Sequence, residues 1–205
     1  MTDIVVFSDD VFYSRGLATI LRRQGVSVHV CNRPCGIASI SELPVRLYIV
    51  CINPSFFRQQ VCQQLKNMKN VLHIFDMPVS DIRSFRFGYL SKRLTLQETW
   101  NSISQFLRGD YPVRIPLSVA DITLVRTMVE TEGRIWRVSQ LLNITEKTVH
   151  SRKYQAMKKF GFDTTRQINL FYCHTLICFR NSIRSVKYDD HSIEGIEGQD
   201  PFSLS

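Results

Sequence analysis

The hydrophobic positions keep a strand-like rhythm through the first half of the chain and a helical one through the second. Between Asp3 and Ser8 the run Ile-Val-Val-Phe is unbroken, as expected of a strand buried on both faces. Tyr13–Gln24 follows with Leu17, Ile20 and Leu21 at helical spacing, and Gly25 stops it. Val26–Val30, Leu47–Ile52, Val71–Phe75 and the short Tyr89-Leu90 predict further strands. Ile37–Leu43 and Val61–Met68 read as helices, and Leu96–Leu107 closes the series with Trp100, Ile103, Phe106 and Leu107 on one face. This alternation over residues 1–109 predicts an α/β domain with a parallel sheet covered on both sides.

Residues 110–116 (DYPVRIP) are turn-rich and predict a short linker. From 117 to 180 the pattern is helical throughout. Ser118 and Asp121 resemble a capping box, and Ile122, Val125, Met128 and Val129 form an inward face. Val138, Leu141 and Leu142 predict a short helix, with room for a tight turn at Asn143-Ile144. Thr145 then caps a helix over 146–160 that Gly161 ends. Val149, Ala156, Met157 and Phe160 share one face of it, while Lys147, Ser151, Tyr154 and Lys158 point away. Two short helices joined by a turn, the second rich in lysine and arginine, predict a helix-turn-helix. A last helix starts at Thr164 or Thr165, and apolar residues from Ile168 to Phe179 cover most of its circumference. Residues 181–205 lose the periodicity, and their composition predicts disorder.

Charge sharpens the second half more than the first. The formal net charge is +8, which suits an anionic partner. Five cations (Lys147, Arg152, Lys153, Lys158, Lys159) on one helix are opposed only by Glu146. Cys31 and Cys35 lack a second ligand pair at a useful spacing, so zinc is not expected and the six cysteines read as reduced thiols. The start, MTDIVVFSDD, meets acidic residues too early for a signal peptide, and the apolar run Leu170–Phe179 is too short to cross a bilayer. A soluble, cytoplasmic protein without a membrane partner is expected. No Ser/His/Asp, metal-ligand or phosphate-loop constellation suggests an enzyme, and no cofactor is expected.

Three segments together carry a family resemblance. Leu117-Ser118-x-x-Asp121, Val138-x-x-x-Leu142-Asn143-Ile144-x-x-Lys147-Thr148-Val149 and Met157-Lys158-Lys159-Phe160-Gly161 resemble the four-helix LuxR/FixJ (NarL-type) DNA-binding domain over residues 115–180. KTVHSRKYQAMKKFG (147–161) is most similar to the RcsA/RcsB-like branch, and the chain departs from the pattern at Glu130–Arg137, where Trp136 stands in a lengthened loop. The resemblance implies that Thr145, Lys147 and Thr148 lie near phosphates and that Val149, Arg152 and Lys153 face bases. It implies as well that the last helix pairs subunits, through Phe171 and Leu176. On the residues alone, the N-terminal domain covers that apolar surface equally well.

The order of the N-terminal elements resembles the receiver domain of response regulators. Asp9 and Asp10 match its acidic pocket and Lys92 its lysine, either as a vestigial site or as ordinary strand-end charges. The phospho-acceptor position reads Asn53, with Cys51 two residues earlier, and a neutral amide cannot take a phosphoryl group. The expected function is therefore a phosphorylation-independent bacterial transcription regulator acting on double-stranded DNA as a homodimer, or as an auxiliary subunit in a heterodimer with another response regulator. The alternative is an interaction module that titrates a partner regulator.

Overall fold

The computed structural model describes residues 2–32, 45–53, 56–65, 68, 70–81, 88–109 and 117–184, excepting the side chains of 56, 81 and 179–184. The expected helix Ile37–Leu43, the linker 110–116 and the tail from 185 on lie outside the described residues.

Five strands form one sheet: β1 (Ile4–Ser8), β2 (Val28–Cys31), β3 (Leu47–Cys51), β4 (Val71–Phe75) and β5 (Tyr89–Ser91). All neighbours are parallel, in the order β2-β1-β3-β4-β5. The order reverses between β1 and β3, so their carboxyl ends flank the crevice where open α/β sheets present their loops. Ser8 stands opposite Cys51 there.

Alternation within the strands sends side chains to two faces. On the first, Ile4, Val6, Ile49, Leu72, Ile74 and Leu90 pack against α1 (Val11–Arg23) and α3 (Leu96–Leu107). On the second, Val5, Phe7, Tyr48, Val50 and Ile52 pack against α2 (Phe56–Gln64). α1 starts two residues before its apolar pattern because the Asp10 carboxylate accepts from Tyr13 N–H at 2.9 Å and turns the chain into the helix at once. α2 likewise precedes the expected Val61–Met68, drawing Phe57 and Val61 into the second face.

The remaining α-helices among the described residues are α4 (Val119–Glu130), α5 (Ile135–Leu142), α6 (Glu146–Lys159) and α7 (Gln167–Arg184). The capping box at Ser118 and Asp121 is complete in both directions. α5 begins at Ile135, a turn earlier than its apolar pattern, after Glu132 and Gly133 pass through left-handed backbone at φ 54° and 77°. A Cβ at Gly133 would sit 3.2 Å from the Gln167 side chain, which donates to the Glu132 carbonyl at 2.7 Å. Both conditions favour glycine.

One hydrophobic cluster joins the two halves. Phe75, Met77 and Tyr89 pack with Leu124, Met128, Val149, Phe160, Phe162 and Tyr172. The helical half thus covers the second sheet face over β4 and β5, next to the stretch that α2 covers. The molecule is an α/β unit built on a five-stranded parallel sheet followed by an all-α unit, sharing a seam at β4–β5.

Candidate nucleic-acid interface

Local chemistry sets both ends of α6. Asn143 takes the left-handed conformation at φ 50°, and Ile144 N–H turns back to the Ser139 carbonyl at 3.0 Å, ending α5. Thr145 is extended at ψ 152°, and its hydroxyl accepts from Thr148 N–H at 3.2 Å and meets the Thr148 hydroxyl at 2.8 Å. At the other end Gly161 has φ 80°, while Gly161 N–H donates to Lys158 and Phe162 N–H to Met157. This is the 5→2, 6→1 pattern of a glycine-ended helix.

Burial divides the side chains of α6 cleanly. Val149, Ala156 and Met157 are buried with Phe160 beyond them, and Lys147, His150, Ser151, Arg152, Tyr154, Gln155 and Lys158 are exposed. Lys153 is half-buried, and burial lowers its pKa. Tyr154 is 45% exposed on the outermost ridge, with Lys158 Nζ 4.5 Å from its ring centroid. Lys159 instead turns inward to Asp121, Nζ to Oδ2 2.6 Å.

The structure leaves Thr145, Lys147 and Arg152 exposed and Thr148 half-buried, and removes Val149 from the surface. At 0% exposure Val149 is a core residue, not a base reader. Lys153 keeps only part of its side chain at the surface. His150, Ser151 and Tyr154 are exposed as well, and the helical wheel alone puts Ser151 and Tyr154 opposite the apolar face.

Leu176 also moves, from subunit contact to core. It is 2% exposed in the cluster that includes Leu124 and Met128, so its side chain is not available to a second subunit. Phe171 is half-buried. Part of the wide apolar surface of α7 is covered by the N-terminal domain through Tyr172, whose ring stacks on Phe75 at 4.1 Å.

At the sheet crevice, Asp9, Cys51, Asn53, Asp76, Lys92 and Tyr172 line one small cavity. Asp9 Oδ2 accepts from Asn53 N–H at 3.0 Å. Asp10 caps α1 and pairs with Lys92, which holds its carboxyl below the usual range. Burial works to lower Lys92, and the bond to Asp10 more than offsets it. Lys92 also lies 4.8 Å from the centre of the Tyr13 ring. Asn53 is exposed, whereas Cys51 is buried at the end of β3 with its thiol pushed up to about 12, chiefly by burial. That thiol is neutral near pH 7 and is no ready nucleophile.

Among the described residues no group of three or more His, Cys, Asp or Glu is placed to hold a metal ion. Among the same residues no helix is long and apolar enough to cross a membrane.

No family model matches the chain, and no curated protein does. Several solved structures do. The two-component response regulator RcsB, in a complex with DNA, is 15% identical with a TM-score of 0.49, over 85% of this chain and 99% of that one. Full-length FixJ from B. japonicum is 13% identical with a TM-score of 0.41, over 87% and 96%. The response regulator StyR is 17% identical with a TM-score of 0.38, over 86% and 98%. At these values the fold rests on the chain's own strand order and registers, and the functional reading on its own side chains.

Proposed function

We propose that this chain is a sequence-specific, double-stranded-DNA-binding transcription regulator of the NarL/FixJ type, controlled without phosphorylation. One observation carries the reading. α6 is capped at both ends, anchored by a buried face, and leaves Lys147, Arg152 and Lys158 exposed along its length. A helix of this kind fits the major groove, with cations and N-terminal amides set against phosphate. Lys147, Thr145 and Thr148 take the positioning contacts. Arg152, with His150, Ser151 and Tyr154, reads base edges. The sheet crevice offers no acceptor carboxylate at Cys51 or Asn53, and its acids are engaged: Asp9 by Asn53 N–H, Asp10 by Tyr13 N–H and Lys92, and Asp76 by Arg93. Pairing with a second regulator subunit, the same or different, uses surface other than Leu176.

The test is selection of duplexes from a random library by the full-length chain, followed by titration across salt. A shared motif, with affinity falling steeply as salt rises, supports the proposal. Recovery of no motif, with binding to a regulator protein instead, favours the partner-titrating module.

A further inference from the structure

Helix ends leave carbonyls without intrahelical partners, and a buried end must satisfy them elsewhere. The carboxyl end of α6 is buried: Phe160 is 0% exposed and Phe162 1%. Met157 and Lys158 carbonyls are taken by the Phe162 and Gly161 amides. The carbonyl of Phe160 is satisfied across the seam, where the Tyr89 hydroxyl donates to it at 2.8 Å. Tyr89 is itself wholly buried on β5, its ring 5.0 Å from Phe162 and 5.6 Å from Phe75.

The seam has a second fastening. The Tyr172 ring stacks on Phe75, and its hydroxyl donates to the Asp76 carbonyl at 3.3 Å. The Arg58 guanidinium lies 5.0 Å from the Phe75 ring centre and 5.9 Å from that of Tyr172, and it donates to the Ile52 carbonyl at 2.9 Å. The sheet is therefore a firm mount. Whatever it holds at Phe160 is held within the last turn of α6, where Lys158 is poised over the Tyr154 ring.

We propose that Tyr89 is a positioning residue for the recognition helix: its hydroxyl bolts the carboxyl cap of α6 to β5 and thereby fixes how Tyr154 and Lys158 are presented to DNA. This rests on the DNA-binding reading above. It gives the receiver-like domain a task that needs no phosphate. Its sheet edge completes the reading head, so specificity depends on a residue that never touches DNA.

The experiment compares the full-length chain with Tyr89→Phe, which keeps the ring and removes the donor. Tyr48→Phe serves as control, since Tyr48 is buried on β3 in the cluster with α2. Each is titrated with the duplex selected by the wild type and with random duplex. Amide exchange over residues 157–162 is followed without DNA. Tyr89→Phe is expected to lose about fivefold in affinity for the selected duplex and nothing on random duplex, with faster exchange in the last turn. Tyr48→Phe is expected to change neither. Unchanged discrimination in Tyr89→Phe overturns the proposal, even with faster exchange, because the bond is then only structural. Equal loss in both variants overturns it as well. If the wild type selects no duplex, DNA reading fails and the positioning role with it, while the exchange result still reports whether Tyr89 holds α6.

Discussion

Lys92 reaches across the mouth of the sheet from the end of β5 to pair with Asp10, the residue that caps α1. The pair neutralises the lysine and engages the acid within the crevice. Asp9 is engaged by Asn53 N–H. Incubation with acetyl phosphate and magnesium is therefore expected to leave intact mass and DNA affinity unchanged. Cys51, rather than the exposed Asn53, ends β3 within the field of Lys92 and Asp9. Phosphorylation of the wild-type chain, seen by mass, would refute this account of the pocket.

Asp121 gives the helical half a pH dependence of known sign. Burial works to raise its pKa, while the bonds from Lys159 and Ser118 more than compensate and leave it lowered. The unfolded chain takes up this proton near pH 4, above the folded value. The stabilisation is therefore complete above about pH 4 and is lost as pH falls through the folded value. Asp121→Asn is expected to lower stability at pH 7 by about 2 kcal/mol and to flatten the acid limb of the unfolding curve. Denaturant titrations between pH 2 and 7, on the order of the range Asp titrates in, measure both effects.

The caps at Ser118–Asp121, Thr145 and Gly161 were legible because they are local. Asn143, Thr145 and Gly161 act within a turn of their own position, and a parallel sheet follows from strands and helices that alternate. What the sequence did not show depends on distant neighbours. The apolar circumference of α7 announced an excess of buried surface without saying that Phe75 would meet Tyr172 or that Leu176 would face the core. The bond from Tyr89 to Phe160 joins residues 71 apart, and no periodicity records it. Val149 is a different case. The helical wheel places it inward with Ala156 and Met157, where the family motif implies a base contact.

Val149 and Tyr154 therefore separate folding from reading. Val149→Ala removes buried methyls and is expected to cost about 2 kcal/mol of stability, with DNA affinity reduced only in proportion to unfolded chain. Tyr154→Ala, on the exposed ridge, is expected to leave the unfolding free energy within about 0.5 kcal/mol of wild type. It should weaken binding to the selected duplex severalfold. Urea unfolding and duplex titration on the same preparations decide the point. A destabilised Tyr154→Ala that binds normally would place the reading face elsewhere.

Arg152 and Lys147 divide the ridge by role. Both are exposed, but Lys147 lies in the first turn of α6, near the Thr145–Thr148 cap where N-terminal amides attract anions. Arg152 stands further along, where its planar fork can meet a guanine edge with two hydrogen bonds. Lys147→Ala is expected to weaken selected and random duplexes alike and to reduce the slope of log affinity against log salt by about 0.9, one phosphate contact. Arg152→Ala is expected to cost about 1–3 kcal/mol on the selected duplex, less on random duplex, and to relax preference at one base pair. Titration of both variants on both duplexes at several salt concentrations yields affinity, discrimination and slope together. If the two variants lose affinity equally on both duplexes with equal slopes, Arg152 is a phosphate contact like Lys147, and base reading falls to His150, Ser151 and Tyr154.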